Sequence, residues 1–267
     1  MARVWTVSKC PPHLENRSES PICGLPCPPG CPAGTYFRAT WATAGLALEC
    51  VLCPAGTYSS TAGMTSPDDC EKCPAGTRSG LEGAASSATC AACEQGTWSN
   101  ATGHSGDCEE CPAGWFGVMA GRTSEEDACR ECPAGTWSAV KGAESEAECE
   151  PCEEGTYSPT VGATGQDSCT ACPAGMYQDR TGMASFDNCV QCPAGTYGTE
   201  PNATQREDCT PCPAGTYSST AGISSVWACF ECPSGTYSRN EGAASLAECL
   251  ACAKGRGERS RSQLLFE

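Results

Sequence analysis

The stretch from Cys53 to Cys70, CPAGTYSSTAGMTSPDDC, is the unit from which most of the chain is built. Its first eleven residues, CPAGTYSSTAG, recur unchanged from Cys212 to Gly222. Looser copies begin at nine further cysteines: Cys31, Cys73, Cys93, Cys111, Cys132, Cys152, Cys172, Cys192 and Cys232. A fixed period of about twenty residues is typical of a repeat array, in which neighbouring units bury one another, and not of a single globular core.

Two glycine positions predict two tight turns in each copy. We number the eleven copies in chain order and count offsets from the first cysteine of each, which is offset 0. Gly stands at offset 3 in all eleven copies, usually within Pro-Ala-Gly, which predicts a turn that needs positive φ or the close approach of another segment. Offset 10 is Gly in nine copies and Asn202 in copy 9, the pair expected in the left-handed region. Trp41 occupies that offset in copy 1, so its second turn must be rebuilt.

The rest of a copy predicts one aromatic contact and one helical turn. Offset 5 is aromatic in ten copies and Arg78 in copy 3, and we expect each ring to pack on the disulfide and on the next copy. Ser at offset 13 is followed three residues later by an acid at Asp69, Asp127, Glu148 and Glu248. This capping-box pattern predicts a single helical turn before the second cysteine.

Composition indicates a disulfide scaffold in an oxidising compartment. The 267 residues include 26 Cys, 30 Gly and 20 Pro, and only 7% are aromatic. Cysteine at this density replaces a hydrophobic core that such a chain cannot build. The formal net charge of −16 excludes nucleic acid and anionic membrane surfaces as partners.

We expect the two cysteines at the ends of each copy to pair. The alternative, a bridge within each Cys-x-x-Cys, would close a small strained loop and leave the long loop open. The expected pairs are Cys31 with Cys50, Cys53 with Cys70, Cys73 with Cys90, Cys93 with Cys108, Cys111 with Cys129, Cys132 with Cys149, Cys152 with Cys169, Cys172 with Cys189, Cys192 with Cys209, Cys212 with Cys229 and Cys232 with Cys249. The pairing of Cys10, Cys23, Cys27 and Cys252 stays open; Cys10 with Cys23 would close a degenerate repeat and leave Cys27 odd.

The chain divides into three segments. Residues 1–30 form an irregular or degenerate start, residues 31–252 hold the eleven copies, and residues 253–267 form a basic tail, expected to be disordered, that begins as a truncated twelfth copy. The start has no apolar signal-peptide region, and no run of eighteen apolar residues occurs anywhere. We therefore expect no direct membrane insertion by this chain, and expect it to be a piece of a larger secreted or membrane-anchored protein.

With its consensus C-P-A-G-T-Y-S-x3-G-x2-S-x3-C-x2-C, the chain resembles the ephrin type-A/B receptor-like cysteine-rich repeats over residues 31–252. These belong to the growth-factor-receptor cysteine-rich group and are similar to tumour-necrosis-factor-receptor half-modules. The resemblance implies first-to-second cysteine pairing, an elongated shape and extracellular or cell-surface exposure. The expected fold is thus a disulfide-rich tandem array with short β pieces, single helical turns and little other regular structure.

The sequence predicts a non-catalytic role. The only two histidines are His13 in the irregular start and His104 in the shortened copy 4; we expect both to be surface residues and not catalytic bases, and we expect no cofactor and no metal. Three N-x-S/T sequons are candidate glycosylation sites: Asn16, Asn100 and Asn202. We expect a spacer or stalk that also contacts an unknown protein or glycan ligand. The alternative is an intracellular zinc-binding array, because two Cys-x-x-Cys pairs sixteen residues apart have zinc-ribbon spacing.

Overall fold

A computed structural model describes residues 30–42 and 45–252, with backbone only for 40–42 and 45–48. The irregular start with Cys10, Cys23 and Cys27, and the basic tail, lie outside the described residues. The described chain falls into two compact units. The first comprises the residues up to Arg130 together with Lys141–Glu146, and the second comprises Glu131–Val140 and the residues from Ala147 onward.

Short two-stranded sheets make up almost all of the regular structure. Strands pair in chain order, each odd-numbered strand with the next, to give eleven sheets in the described residues. They are β1 Thr35–Ala42, β2 Gly45–Leu52, β3 Thr57–Tyr58, β4 Glu71–Lys72, β5 Thr77–Arg78, β6 Ala91–Ala92, β7 Thr97–Trp98, β8 Glu109–Glu110, β9 Trp115–Gly117, β10 Cys129–Glu131, β11 Thr136–Trp137, β12 Glu150–Pro151, β13 Thr156–Tyr157, β14 Thr170–Ala171, β15 Met176–Tyr177, β16 Val190–Gln191, β17 Thr196–Tyr197, β18 Thr210–Pro211, β19 Thr216–Tyr217, β20 Phe230–Glu231, β21 Thr236–Tyr237 and β22 Leu250–Ala251.

The turn at offset 3 starts each copy. In copy 2, Gly56 has φ +83°, a conformation that costs a glycine nothing. The backbone N–H of Thr57 and its hydroxyl both donate to the carbonyl of Pro54, at 3.0 and 2.7 Å. The same hydroxyl-to-carbonyl bond recurs wherever Thr holds offset 4 in the described copies, so this threonine clamps the turn.

The second predicted turn is also confirmed. Every Gly at offset 10 has positive φ, and Asn202 has φ +64°, the one non-glycine residue with positive φ in the described ranges. Copy 1 has no such glycine, and a hairpin of two eight-residue strands, β1 and β2, replaces the turn there.

A short helical turn precedes the second cysteine in nine of the eleven copies, as the capping pattern predicts; copies 1 and 4 have none in their described residues. Eight are single 3-10 turns: Pro67–Asp69, Ser87–Thr89, Glu146–Glu148, Gln166–Ser168, Phe186–Asn188, Arg206–Asp208, Val226–Ala228 and Leu246–Glu248. Copy 5 has one residue more and forms the short α-helix α1, Glu125–Ala128. Ser66 and Asp69 form a capping box, as do Ser245 and Glu248. Only three residues separate offset 13 from the cysteine at offset 17, which leaves room for one tight turn.

Within each unit, three backbone hydrogen bonds join most pairs of neighbouring copies. Between copies 2 and 3 they run from Gly56 N to Ser79 O (2.7 Å), from Ser59 N to Ala84 O (2.9 Å) and from Gly83 N to Cys53 O (2.8 Å). The residue at offset 5 also forms a parallel bridge with offset 11 of the next copy, as Tyr58 does with Ala84. Stacking therefore satisfies backbone groups that an isolated copy would leave to solvent.

The glycine at offset 3 also touches the copy after next. A Cβ added to Gly34 would lie 2.2 Å from the carbonyl oxygen of Gly83, two copies along the chain. The equivalent distances are 2.1 Å from Gly56 to Gly103 and 2.2 Å from Gly195 to Gly242. Real Cβ atoms essentially never come this close to a backbone oxygen. Offset 3 thus needs glycine both for its φ and for this contact, which couples second neighbours.

Cysteines and small residues form the buried interior. The first cysteines of copies 1–10 are at most 1% exposed. Around them lie buried Ala at offset 11, such as Ala84 and Ala243, and buried Ser at offset 6, such as Ser158 and Ser218. The hydroxyl of Ser218 is satisfied, because it accepts from Thr220 N at 3.3 Å. Sequence analysis assigned no role to these small residues.

A pair of glycine variants separates the two demands at offset 3. Gly195→Ala should destabilise copies 9–11 more than Gly215→Ala does. Both replace a glycine near φ +82° (+81° and +83°), at a cost of about 1–2 kcal/mol. Only Gly195→Ala adds a clash, since the structure places no described atom within 4 Å of a Cβ at Gly215. Hydrogen exchange of copies 9–11, together with thermal melting, measures the destabilisation caused by each variant. Equal destabilisation by the two variants would contradict the second-neighbour contact.

Candidate interaction surface

Eleven disulfides close the eleven copies, with Cα–Cα distances of 5.6–5.9 Å. They join the same cysteines as in the expected list, from Cys31–Cys50 to Cys232–Cys249. The two cysteines of each Cys-x-x-Cys therefore belong to neighbouring disulfides. Cys252 is free and exposed in the described chain.

This arrangement bears on the zinc-binding alternative. A four-cysteine zinc site requires four thiolates, whereas these 22 sulfurs are oxidised in pairs. Among the described residues, no three His, Cys, Asp or Glu side chains are grouped as metal ligands. The structure thus uses the two cysteines of each Cys-x-x-Cys to close two successive copies, one disulfide each.

Within each unit, offset 5 anchors a set of neighbouring side chains, which we call the aromatic face. It consists of the residue at offset 5, its cross-strand partner, at offset 18 in most copies, and the residue at offset 14 of the next copy. Directly opposed residues of an antiparallel pair lie on the same side of the sheet. In copy 10, Tyr217 faces Phe230 with 6.1 Å between ring centroids, and in copy 2 the Tyr58 hydroxyl donates to Glu71 at 2.7 Å. This hydrogen bond to the carboxylate raises the pKa of Tyr58.

The same position reaches the segment that precedes the second cysteine of the next copy. Tyr157 meets Phe186 edge to face at 6.0 Å, and Arg78 forms a 2.7 Å ion pair with Asp107. Arg78 thus keeps this contact between neighbouring copies where the ring is absent. An exposed pair of this kind contributes little stability.

The expectation that the rings pack on disulfides is confirmed for Trp98, which packs against the Cys111–Cys129 disulfide of the next copy and against Ala128. Most other rings are only half-buried, while Phe116 is 6% exposed. The fully buried interior therefore consists mainly of cysteine and small residues, and most rings at offset 5 remain partly exposed.

The aromatic face changes chemistry along the chain. The cross-strand partner of offset 5 is acidic in copies 2, 4 and 6 and apolar in copies 8, 10 and 11: Glu71, Glu109 and Glu150, then Val190, Phe230 and Leu250. In copy 4, which is two residues shorter, this partner stands at offset 16. The three apolar side chains are 44–58% exposed. Sequence analysis missed this change because it sought what the copies share; aligning the copies and reading their differences would have found it.

The carboxylates singled out in the sequence act as caps. Oδ2 of Asp69 accepts from the backbone N–H groups of Thr65 and Ser66, both at 3.0 Å. His104, the one histidine in the described ranges, is hydrogen-bonded through Nε2 to the carbonyl of Asp107 at 2.8 Å. These groups satisfy backbone atoms locally and do not converge on a common point.

The candidate glycosylation sites lie at the surface where they are described. Asn100 and Asn202 are both exposed, and Asn16 lies outside the described residues. Asn202 N donates to the carbonyl of Cys172 in the preceding copy at 2.9 Å, so its backbone is part of the stacking. Its side-chain Oδ1 also lies beside Gly155, two copies earlier, where an added Cβ would come within 2.7 Å of it.

Comparison with known proteins identifies the class of repeat. The family model described as tyrosine-protein kinase ephrin type A/B receptor-like matches five segments, residues 40–90, 80–128, 141–189, 160–209 and 206–249. These matches span well over half of the chain, and the chain belongs to this family of cysteine-rich repeats. Such repeats are a non-catalytic type of domain, and their disulfides are typical of extracellular proteins. No curated protein matched the chain.

The search for a membrane-crossing segment gave a simple result: no helix within the described residues is long and apolar enough to span a bilayer.

Asp208 provides a pH-dependent test of the caps. Its Oδ2 accepts from Thr204 N at 2.8 Å and Gln205 N at 3.1 Å, and these bonds lower its pKa by favouring the charged form. The stabilisation is therefore complete above the unfolded pKa of about 3.9 and is lost as pH falls through the lower folded pKa.

We predict that Asp208→Ala lowers the melting temperature at pH 7, and that this difference from wild type shrinks below about pH 4. Asp208→Asn is the matched control: Asn188 already caps Ser185 N through Oδ1 at 3.1 Å, so the amide keeps an acceptor without titrating. A difference for Asp208→Ala that stays constant down to pH 2 would contradict the charge-assisted cap.

Proposed function

We propose that this chain is a non-catalytic extracellular spacer that holds binding surfaces at fixed separations. The observation that carries the proposal is the double coupling of copies within each of the two units: neighbouring copies are hydrogen-bonded, and the glycine at offset 3 closely approaches the backbone of the copy after next. In a repeat array with only nearest-neighbour contacts, each junction can bend independently. Contact with second neighbours removes that freedom, because bending one junction separates copies on both sides of it.

Chemistry and compartment support the same role. One disulfide per copy suits an oxidising environment, where it persists and limits the entropy of the unfolded chain. Catalysis needs a nucleophile, a base and an orienting group within hydrogen-bond reach. The described polar side chains are instead used as turn clamps and caps, which supports a structural role.

The aromatic face supports the contact part of the role. Half-buried rings recur along it once per copy in most copies, beside acids in the early copies and apolar residues in the late ones. Aromatic side chains dominate the energetics of protein interfaces and also stack on sugar rings. The ligand class we propose is therefore a protein or a glycan.

Small-angle scattering of the monomeric, disulfide-intact chain tests the spacer. A 267-residue globule would have a radius of gyration of about 18 Å, and we predict a clearly larger value. Deleting residues 152–191, two whole copies, should shorten a rod in proportion, by about 15%, whereas a globule would shrink by about 6%. A radius near 18 Å, or the smaller contraction, would contradict the proposal.

The extracellular assignment predicts glycans on Asn100 and Asn202 when the chain is secreted from a eukaryotic host. Asn202→Gly should remove one glycan without disturbing the turn, because nine copies have Gly at that offset. Thr204→Ala should remove the same glycan, and Thr204→Ser should retain it, since Ser also completes the sequon. Intact-mass measurement shows how many glycans each protein carries. A secreted chain without glycan at either site would contradict this prediction.

A further inference from the structure

Copy 10 differs from the rest of the array in charge. The chain has a net charge of −16, yet no Asp, Glu, Lys or Arg occurs from Cys209 to Phe230, so copy 10 is the one copy without a charged residue. Depletion of charge together with exposed aromatic residues is the compositional mark of an interface core. Nothing in the spacer role calls for it.

The most exposed apolar side chains lie in this copy and the next. Among the large apolar side chains of the described residues, Trp227 (91%), Phe230 (58%) and Leu250 (57%) are the three most exposed, and Leu246, in the same copy as the partner strand of Leu250, is 50% exposed. Phe230 lies against Tyr217, and Leu250 pairs across β21 and β22 with Tyr237. Leu246 has offset 14 in copy 11, the position that Phe186 occupies when it meets Tyr157. Three of these side chains thus belong to the aromatic face, and Trp227 lies in the turn beside it.

Folding of the copy does not require these residues. Copies 2 and 10 share their first eleven residues, but copy 2 has Asp68 and Glu71 where copy 10 has Trp227 and Phe230. Both copies form the same hairpin, the same 3-10 turn and the same disulfide. The exposed Trp227 ring therefore has a role other than the internal packing of its copy.

We propose that Trp227, Phe230, Leu246 and Leu250 form a self-association surface that docks against the same surface of a second copy of this chain. The choice of a second copy follows from charge. Two chains of charge −16 repel each other, and the uncharged copy is the place where they can approach with least repulsion. A basic partner would instead gain most at the acidic copies, such as the stretch from Glu148 to Glu154.

The available area fits a two-fold dimer. With about 150–250 Å² for a whole aromatic side chain, the four exposed side chains present roughly 500 Å² of apolar surface. A standard interface buries about 800 Å² per partner, and homodimer interfaces are about 65% apolar, which also gives roughly 500 Å². A self-complementary patch used by both subunits closes as a dimer and does not propagate into fibres.

Analytical ultracentrifugation of the full chain over a range of concentrations tests the surface. The exposed thiol of Cys252 could cross-link two chains, so every protein carries Cys252→Ser. We expect a reversible monomer–dimer equilibrium that strengthens with added salt, because salt screens the repulsion between the acidic copies. A chain that stays monomeric at about 100 µM and about 0.5 M salt, where screening is strong, would overturn the proposal.

Two double variants locate the contact. Trp227→Asp with Phe230→Glu approximates the chemistry of copy 2 and should abolish dimerisation. Trp227→Ala with Phe230→Thr adds no charge and uses residues found at these offsets in other copies, at Ala247 and Thr210, and should weaken it at least tenfold. Dimers that persist in both variants would overturn the proposal.

Val140→Asp with Val161→Asp is the matched control. It adds two negative charges at exposed apolar side chains, each 52% exposed, in acidic copies 6 and 7, and should leave the dimer intact. Equal disruption by this control would show a general effect of charge and overturn the assignment of the surface. The result does not depend on the spacer role, because a globular or flexible chain could dimerise through the same four side chains.

Discussion

The disulfide that closes each copy is the constraint on which the rest of the structure depends. It fixes the ends of a loop of about twenty residues, so the turns at offsets 3 and 10 are held at set positions relative to the cysteine. Only two residues then separate it from the next disulfide, so each closed loop starts where the previous one ends. The backbone hydrogen bonds between copies, and the approach of glycine to the carbonyl of the copy after next, follow from this spacing. Because cysteines and small residues fill the interior, most of the aromatic rings are only half-buried and keep part of their surface exposed.

The turns and caps within each copy could be predicted from the sequence because each of them requires a particular residue type at a fixed offset. Glycine at two offsets, with Asn202 as its one substitute, indicates left-handed turns, and Ser with an acid three residues later indicates a cap. The partner of each turn could not be predicted in this way. Glycine at offset 3 indicates that a side chain would not fit there. Only the structure shows that, at Gly34, the carbonyl of Gly83 occupies the space that a Cβ would need.

The interior and the surface were harder to predict, for opposite reasons. From the sequence, the large aromatic side chains were expected to supply the packing. The structure instead buries small residues, such as Ala84 and Ser218, together with the cysteines. Small residues do not stand out in a sequence as hydrophobic core positions. The apolar character of copy 10 was missed because it is a departure from the repeat. Trp227 and Phe230 stand out only once the shared turns and disulfides have been accounted for. In an array of this kind, residues shared by the copies indicate the fold, and residues that differ between copies indicate where a copy contacts another molecule.

The most direct test of this account is mass-spectrometric mapping of disulfides in the unreduced chain, secreted from an oxidising host and assayed for zinc. The structure predicts peptides joined as Cys152–Cys169 and Cys172–Cys189, and so on through the array, without metal. Bridges within a Cys-x-x-Cys, such as Cys169 with Cys172, or free thiols with about one zinc per four cysteines, would contradict it. Either result would remove the closed loop on which the stacking and the surface both depend.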